Sequence, residues 1–289
     1  MNTTYKNPIH IGADPFILLH EDKYYLYATN CMDEGYLVSV SDNLCDWEEM
    51  GFCLKKQDVI GENRFWAPEV MYHNGKFYMA YSSEQHLGIA VSDSPLGPFT
   101  QKEKKWATGV GAIDGHFFKD DDGTIYLFYV RQLNGNQIFV AKLNDNLTEI
   151  IEETEKLIIN PEEEWEVREK ARTAEGPFVL KHEGKYYLSY SVNDYRSIYY
   201  SIGCAVSEHP MGPYKKLRGN PILCKNDNVN GTGHHSFTTS KDGKELVCVY
   251  HTHNTLTSVE PRMTCIDKAE FTVNEYGETI IKIYGPSCK

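Results

Sequence analysis

The stretch "ADPFILLHEDKYYLYAT", Ala13 to Thr29, decides the fold, because it is the first of five variants of one pattern. A short apolar run leads into a charged turn, and in the run that follows large apolar residues alternate with smaller ones. Alternate side chains of a strand face opposite sides, so this pattern reads as a β-hairpin. It returns as "APEVMYHNGKFYMAYSS" from Ala67, "IDGHFFKDDDGTIYLFYV" from Ile113, "AEGPFVLKHEGKYYLSYS" from Ala174 and "GHHSFTTSKDGKELVCVYHT" from Gly233. With the residue after each turn as a marker (Lys23, Lys76, Thr124, Lys185 and Lys244), the intervals are 53, 48, 61 and 59 residues.

A second echo lies further along the units, in "LVSVSDNLCDWEEMG", "IAVSDSPLGPFTQ", "FVAKLNDNLTEI" and "CAVSEHPMGPYKK", each a strand, a turn and the start of another strand. A four-stranded unit with two apolar faces buries both only against its neighbours. Five such units closing on themselves predict an all-β, five-bladed β-propeller with about four antiparallel strands per blade. A β-sandwich also uses short strands and regular turns, but it does not usually repeat a hairpin at this spacing. Nothing marks a linker, so residues 1–289 are expected to form a single domain. Helix should be scarce, and the acidic stretch "NPEEEWEVREKARTAEG" reads as a solvated loop face.

Composition narrows the partners. The formal charge is −12, which disfavours nucleic acid, whose phosphates would be repelled over much of the surface. No apolar run is long enough to span a bilayer, and the N-terminus "MNTTYKNPIHIGADP" has neither a basic start nor an apolar core, so a cytoplasmic location is expected. The eight cysteines are scattered without CxxC spacing and read as reduced thiols. Twenty tyrosines suit strands and stacking on a ligand, which favours a sugar among small molecules. Oligomeric state is not legible.

The first strand of each propeller blade lines the central channel, so equivalent positions of the repeat converge on one axis. Counting back nine or ten places from the markers aligns Asp14, Ala67, Asp114, Glu175 and His234, three of them acids. An Asp before Pro is by itself common in turns, but three matched acids before apolar strands point to acid–base chemistry, because like charges near one axis push their pKa values apart. Two carboxylates acting from opposite sides of one bond is the logic of glycoside hydrolysis. Glu69 falls two places beyond the aligned position and is assigned to its strand. The triplet Asp120 to Asp122 precedes Gly123 and reads as a solvated turn, since it lacks the further ligands of a calcium loop.

Together "GADPFI", "FWAPEV", "GAIDGHFF", "TAEGPFV" and "GTGHHSF" resemble glycoside hydrolase family 43 in order and spacing over nearly the whole chain. The resemblance implies a five-bladed propeller that cleaves arabinose- and xylose-containing plant saccharides with inversion and needs no cofactor for the chemistry. It implies Asp14 as general base, Glu175 as general acid and Asp114 as the carboxylate that tunes the acid. Trp66, Phe65 and His116 are expected to contact the sugar, and Arg262 to modulate a carboxylate. It also places His234 at the axis, where some members hold a structural calcium. His251 and His253 suggest a catalytic metal instead, but no HExxH-type spacing accompanies them. The expected activity is release of α-L-arabinofuranosyl or β-D-xylosyl end groups. The alternatives are an endo-arabinanase, a fructoside or galactoside hydrolase, and a propeller that binds sugar without cleaving it.

Overall fold

The alternating aromatic runs form strands throughout the computed structural model, which describes residues 5–287. A two-residue strand, β1 (His10–Ile11), precedes the first blade, made of β2 (Ala13–His20), β3 (Lys23–Thr29), β4 (Gly35–Ser41) and β5 (Glu48–Lys55). The second blade holds β6 (Trp66–His73), β7 (Lys76–Ser83) and β8 (His86–Ser92). The third comprises β9 (Ile113–Lys119), β10 (Ile125–Gln132), β11 (Asn136–Lys142) and β12 (Lys156–Ile159), and the fourth β13 (Ala174–His182), β14 (Lys185–Val192), β15 (Ser201–Ser207) and β16 (Lys215–Lys216). The fifth contains β17 (Gly233–Thr239), β18 (Leu246–Thr252), β19 (Met263–Val273) and β20 (Thr279–Ile283).

Each blade is an antiparallel meander, so the repeat reads as a five-bladed propeller with two local departures. The second blade has only three strands, its fourth place taken by two isolated bridges, Gly88 with Trp106 and Val91 with Thr100. In the fifth, the outer place beside β19 is divided: β20 pairs with Ala269–Val273 and β1 with Met263 and Thr264. The start of the chain thus closes the ring on the last blade, reinforced by Asn7, which bonds both the N–H and the carbonyl of Ile266.

Burial follows the same repeat. There are five apolar clusters among the described residues, and each is built from two neighbouring blades: Tyr36, Phe65 and Tyr81 pack between the first and second, and Ile17 and Val249 between the first and the fifth. Apolar residues on both faces of each sheet are therefore satisfied only by the neighbouring blades. The acidic stretch at 160–176 contributes a single 3-10 turn, Arg168–Lys170, before its last residues enter β13, and it is not wholly solvated as its charge suggested. Glu166 is fully buried, accepting from the backbone N–H groups of Glu162 and Glu163 and from Tyr190 Oη, and pairing with Lys216. A buried carboxylate with this many donors ties the loop to the fourth blade.

Candidate active site

All five inner strands carry a bulge at one equivalent place. The ladder skips from Ala13 to Phe16, from Trp66 to Glu69, from Ile113 to His116, from Glu175 to Phe178 and from Gly233 to Ser236. Just inside each bulge one residue adopts a left-handed backbone: Asp14 (φ 51°), Ala67 (46°), Asp114 (57°), Gly176 (52°) and His234 (45°). The true equivalent of Asp14 in the fourth blade is therefore Gly176, and Glu175 stands one place earlier, level with Trp66 and Ile113. This corrects the alignment drawn from turn markers: the fourth hairpin has the same short turn as the first, so the equivalent of Asp14 lies nine places before Lys185, at Gly176, and not ten.

The bent residues form a ring of contacts from blade to blade. The N–H of Ala67 donates to Thr29 Oγ1 (2.9 Å), that of Asp114 to Ser82 Oγ (3.0 Å), that of His234 to Ser191 Oγ (2.7 Å) and that of Asp14 to His251 Nδ1 (3.1 Å). Each acceptor occupies the same position on the second strand of the preceding blade. In the third blade that position is Val130, which has no acceptor, and the N–H of Gly176 turns instead to Asp114 Oδ2 at 3.2 Å. Asp114 thereby fixes the backbone beside Glu175, giving its carboxylate a structural reason as well as an electrostatic one.

Asp14 is buried and surrounded by donors. Thr29 Oγ1 donates to its Oδ2 (2.7 Å), Arg262 Nη1 donates to its Oδ1 (3.1 Å), and His234 Nδ1 lies 3.3 Å from Oδ1. Burial alone would raise its pKa, but His234, Arg262 and His251 outweigh it and hold the carboxyl well below the usual range. Burial also lowers His234 and pushes His251 down to about 3, so at neutral pH the permanent charge on Arg262 keeps Asp14 ionised. His251 is thus a neutral acceptor for the Asp14 N–H. His253 Nε2 lies 2.8 Å from the Tyr195 carbonyl, so the two histidines do not share a metal site.

Glu175 is held for the opposite protonation state. Asn136 Nδ2 donates to its Oε2 (3.0 Å) and Tyr200 Oη to its Oε1 (2.8 Å). Burial dominates, opposed by the Tyr200 bond and reinforced by the charge on Asp14, and the pKa rises to about 7. Burial and the charges of Glu175 and Asp14 likewise push Asp114 well above its ordinary value. An ionised carboxylate, Asp14, and two carboxyl groups pushed toward their protonated forms, Glu175 and Asp114, therefore face a single cavity of ≈ 510 Å³, bordered also by Trp66, Arg64, Tyr195 and Arg262. Arg262 reaches the cavity braced by Glu260 and by the Tyr195 ring, 4.5 Å away.

Trp66, His234 and Arg262 are at the cavity as expected, but two other candidates are not. Phe65 is fully buried in the core between the first two blades, stacked on Tyr81; it and Trp66 are adjacent on an extended chain and face opposite ways. His116 is buried between strands, with Nδ1 2.9 Å from Glu69 and Nε2 accepting from the N–H of Val179. It links the second, third and fourth blades and is not a sugar contact. Glu69, assigned to its strand, is there as its partner. The sequence reading missed Asn136 and Tyr200. Asn136 opens the third strand of its blade, as His86 does in the second, and both lie just ahead of the second echo of the repeat.

The donor set does not suit an axial calcium. Beneath the carboxylates lies a space of ≈ 30 Å³ bordered by Asp14, Asp114, His234 and His235, where His235 Nδ1 is buried without a partner. A lone imidazole nitrogen is a poor ligand for a hard cation that takes six to eight oxygens. Among the described residues no group of three or more His, Cys, Asp or Glu side chains is arranged to hold a metal ion.

The sequence profile described as "Glycosyl hydrolases family 43" matches residues 5–276. A solved thermostable family-43 glycoside hydrolase is similar at 44% identity and TM-score 0.88, over 98% of this chain and 97% of that one. A solved endo-1,4-beta-xylanase from Bacteroides thetaiotaomicron VPI-5482 is similar at 37% identity and TM-score 0.90, over 98% and 97%. A beta-D-galactofuranosidase of Aspergillus niger is 28% identical over 96% of this chain and 85% of its own length. Other curated relatives are named beta-xylosidase, xylosidase/arabinosidase and exo-alpha-(1->5)-L-arabinofuranosidase. Matched by the profile over almost its full length and carrying an ionised and a protonated carboxyl group in one axial cavity, the chain belongs to glycosyl hydrolases family 43.

Proposed function

We propose that this glycoside hydrolase releases α-L-arabinofuranosyl or β-D-xylosyl end groups from plant oligosaccharides by single displacement, with Asp14 as base and Glu175 as acid. The observation that carries this reading is the opposed protonation of the two carboxyl groups in one cavity. A water held by Asp14 attacks the anomeric carbon and gives its proton to that carboxylate. On the far side Glu175 protonates the departing glycosidic oxygen, so one C–O bond forms as the other breaks and the anomer inverts. Asp114 keeps Glu175 placed through its bond to the N–H of Gly176. Arg262 holds Asp14 ionised, and Trp66 offers a flat face to the sugar ring. The chemistry needs no cofactor.

The names of the relatives support xylose and arabinose as the sugar, and one favours a galactofuranoside. Aryl β-D-xyloside, α-L-arabinofuranoside and β-D-galactofuranoside assayed side by side discriminate among them. Turnover of either of the first two supports the proposal. Turnover of the third alone moves the substrate class, and binding without release at any pH from about 4 to 8 leaves a sugar-binding propeller. Product analysis on linear arabinan and xylo-oligosaccharides tests end-group release: monosaccharide alone supports it, and mixed lengths refute it.

A further inference from the structure

A separate cavity of ≈ 350 Å³ lies in the fifth blade, where the start of the chain closes the ring. It is bordered by Asn7 and Pro8 just ahead of β1, by Thr252 and Met263, which pair across β18 and β19, and by Val229 and Asn230 on the link from the fourth blade. It shares no lining residue with the catalytic cavity, and the acid–base chemistry does not use it.

No Asp, Glu, Lys or Arg borders this cavity, although such residues make up 24% of the chain. An ionic ligand would lose its water there without gaining a countercharge, so the cavity suits a neutral one. Amide and hydroxyl groups stand beside the apolar surfaces of Pro8, Val229 and Met263, a mixture that meets both the hydroxyls and the C–H faces of a sugar.

Two acceptors in the wall have no partner. Asn230, 6% exposed, donates from Nδ2 to the carbonyl of Leu256 (3.2 Å), which fixes the amide and leaves Oδ1 buried without a partner. His253, equally buried, donates from Nε2 to the carbonyl of Tyr195 (2.8 Å), so in the neutral ring Nδ1 is a bare acceptor. A buried acceptor left empty is costly, and a hydroxyl donated by a ligand removes that cost. The wall is also preformed. The His253 N–H donates to the Asn230 carbonyl (3.1 Å), and its ring fills the place that a side chain at Gly231 would take, since a Cβ there would collide with His253 Cδ2.

We propose that this cavity is a second, non-catalytic sugar site that takes one neutral pentose or hexose. Hydroxyls of the sugar donate to Asn230 Oδ1 and His253 Nδ1, and one C–H face packs on Met263.

Two methionines read the two cavities separately, since Met263 borders this one and Met32 the catalytic one. The full chain, isotope-labelled at its methionine methyl groups, is titrated by NMR with D-xylose, L-arabinose and D-glucuronate, the Met263 signal being identified by its loss in Met263→Leu. The Met263 signal is expected to shift and saturate at about 1–100 mM of D-xylose or L-arabinose. In Asn228→Trp and Val229→Trp, which fill the cavity from its wall, the dissociation constant read at Met263 should rise by about tenfold or more, while the response at Met32 stays as in wild type. A Met263 signal that does not move, that follows the Met32 dissociation constant in wild type and variants alike, or that responds equally to D-glucuronate overturns the proposal. Unchanged signals from the remaining methionines show a variant to be folded, and if one is not, the other decides. The titration needs no turnover, so its outcome is independent of the roles of Asp14 and Glu175.

Discussion

Replacing Tyr200 by Phe should move the alkaline limb of the pH–rate profile upward. The Tyr200 hydroxyl donates to Glu175 Oε1 at 2.8 Å, and a donor to a carboxylate favours its ionised form. Burial and the charge on Asp14 push the other way and leave the Glu175 pKa at about 7. The substitution removes the donor while keeping a ring that stacks on His251, with centroids 5.5 Å apart. A hydrogen bond to a charged group contributes about 1.5–3 kcal/mol, and about 1.4 kcal/mol corresponds to one pH unit, so the proton on Glu175 should be retained about 1–2 pH units higher. Activity requires that proton and is lost as pH rises through the acid's pKa. The wild-type limb should therefore fall with a midpoint near 7 and that of the variant near 8 or above. The assay is kcat/KM from about pH 5 to 9 on a glycoside whose leaving alcohol is weakly acidic, so that proton donation limits the rate. A limb that stays put or moves down in a folded Tyr200→Phe refutes Glu175 as the titrating acid.

Glu175→Gln should lose on the order of 10²–10⁴ in kcat on unactivated glycosides and far less on activated aryl glycosides, as a series of leaving groups will show. The same variant should be the more stable protein at alkaline pH. The raised pKa adds stability that is fully present below about 4.5 and lost as pH rises through about 7, a loss of about 3 kcal/mol that glutamine does not suffer, visible in urea titrations at pH 5 and 8. Asp14→Ala should be nearly inactive yet regain turnover with azide, which enters on the base side; formation of a glycosyl azide of inverted configuration is expected, and its absence from a folded, substrate-binding variant counts against Asp14 as the base. Phe65→Ala should cost about 3–5 kcal/mol of stability and leave kcat/KM of the folded molecules near that of wild type; a selective loss of sugar binding with unchanged stability would return Phe65 to the site.

The fold was legible because the hairpin at Ala13 to Thr29 recurs with its turn chemistry and its alternation of residues. The bulge in every inner strand was not. Inserted residues reverse the alternation that a strand otherwise keeps, which is why His116, two places beyond Asp114, reads as a sugar contact yet is buried between strands. One place too many in the count back from Lys185 made Glu175 look like a member of the ring, when it stands one place before Gly176.

Asp14, Asp114 and Glu175 could be found because acids just before apolar strands are rare in a structural pattern. The residues that set their protonation were harder to find. Tyr200 precedes the third strand of its blade and Asn136 opens the third strand of its own, away from the hairpins that carry the repeat. Val130 shows what composition cannot convey: its missing acceptor matters only because Thr29, Ser82, Ser191 and His251 fill the same position elsewhere in the ring.

The central claim is that Asp14 and Glu175 act from opposite sides of one anomeric carbon. Proton NMR of the sugar released in the first minutes of hydrolysis, before mutarotation, tests it most directly. The anomer opposite to that of the substrate is the predicted first product, α-xylose from a β-xyloside or the β-anomer from an α-L-arabinofuranoside. First appearance of the retained anomer would require a covalent intermediate and would contradict the account.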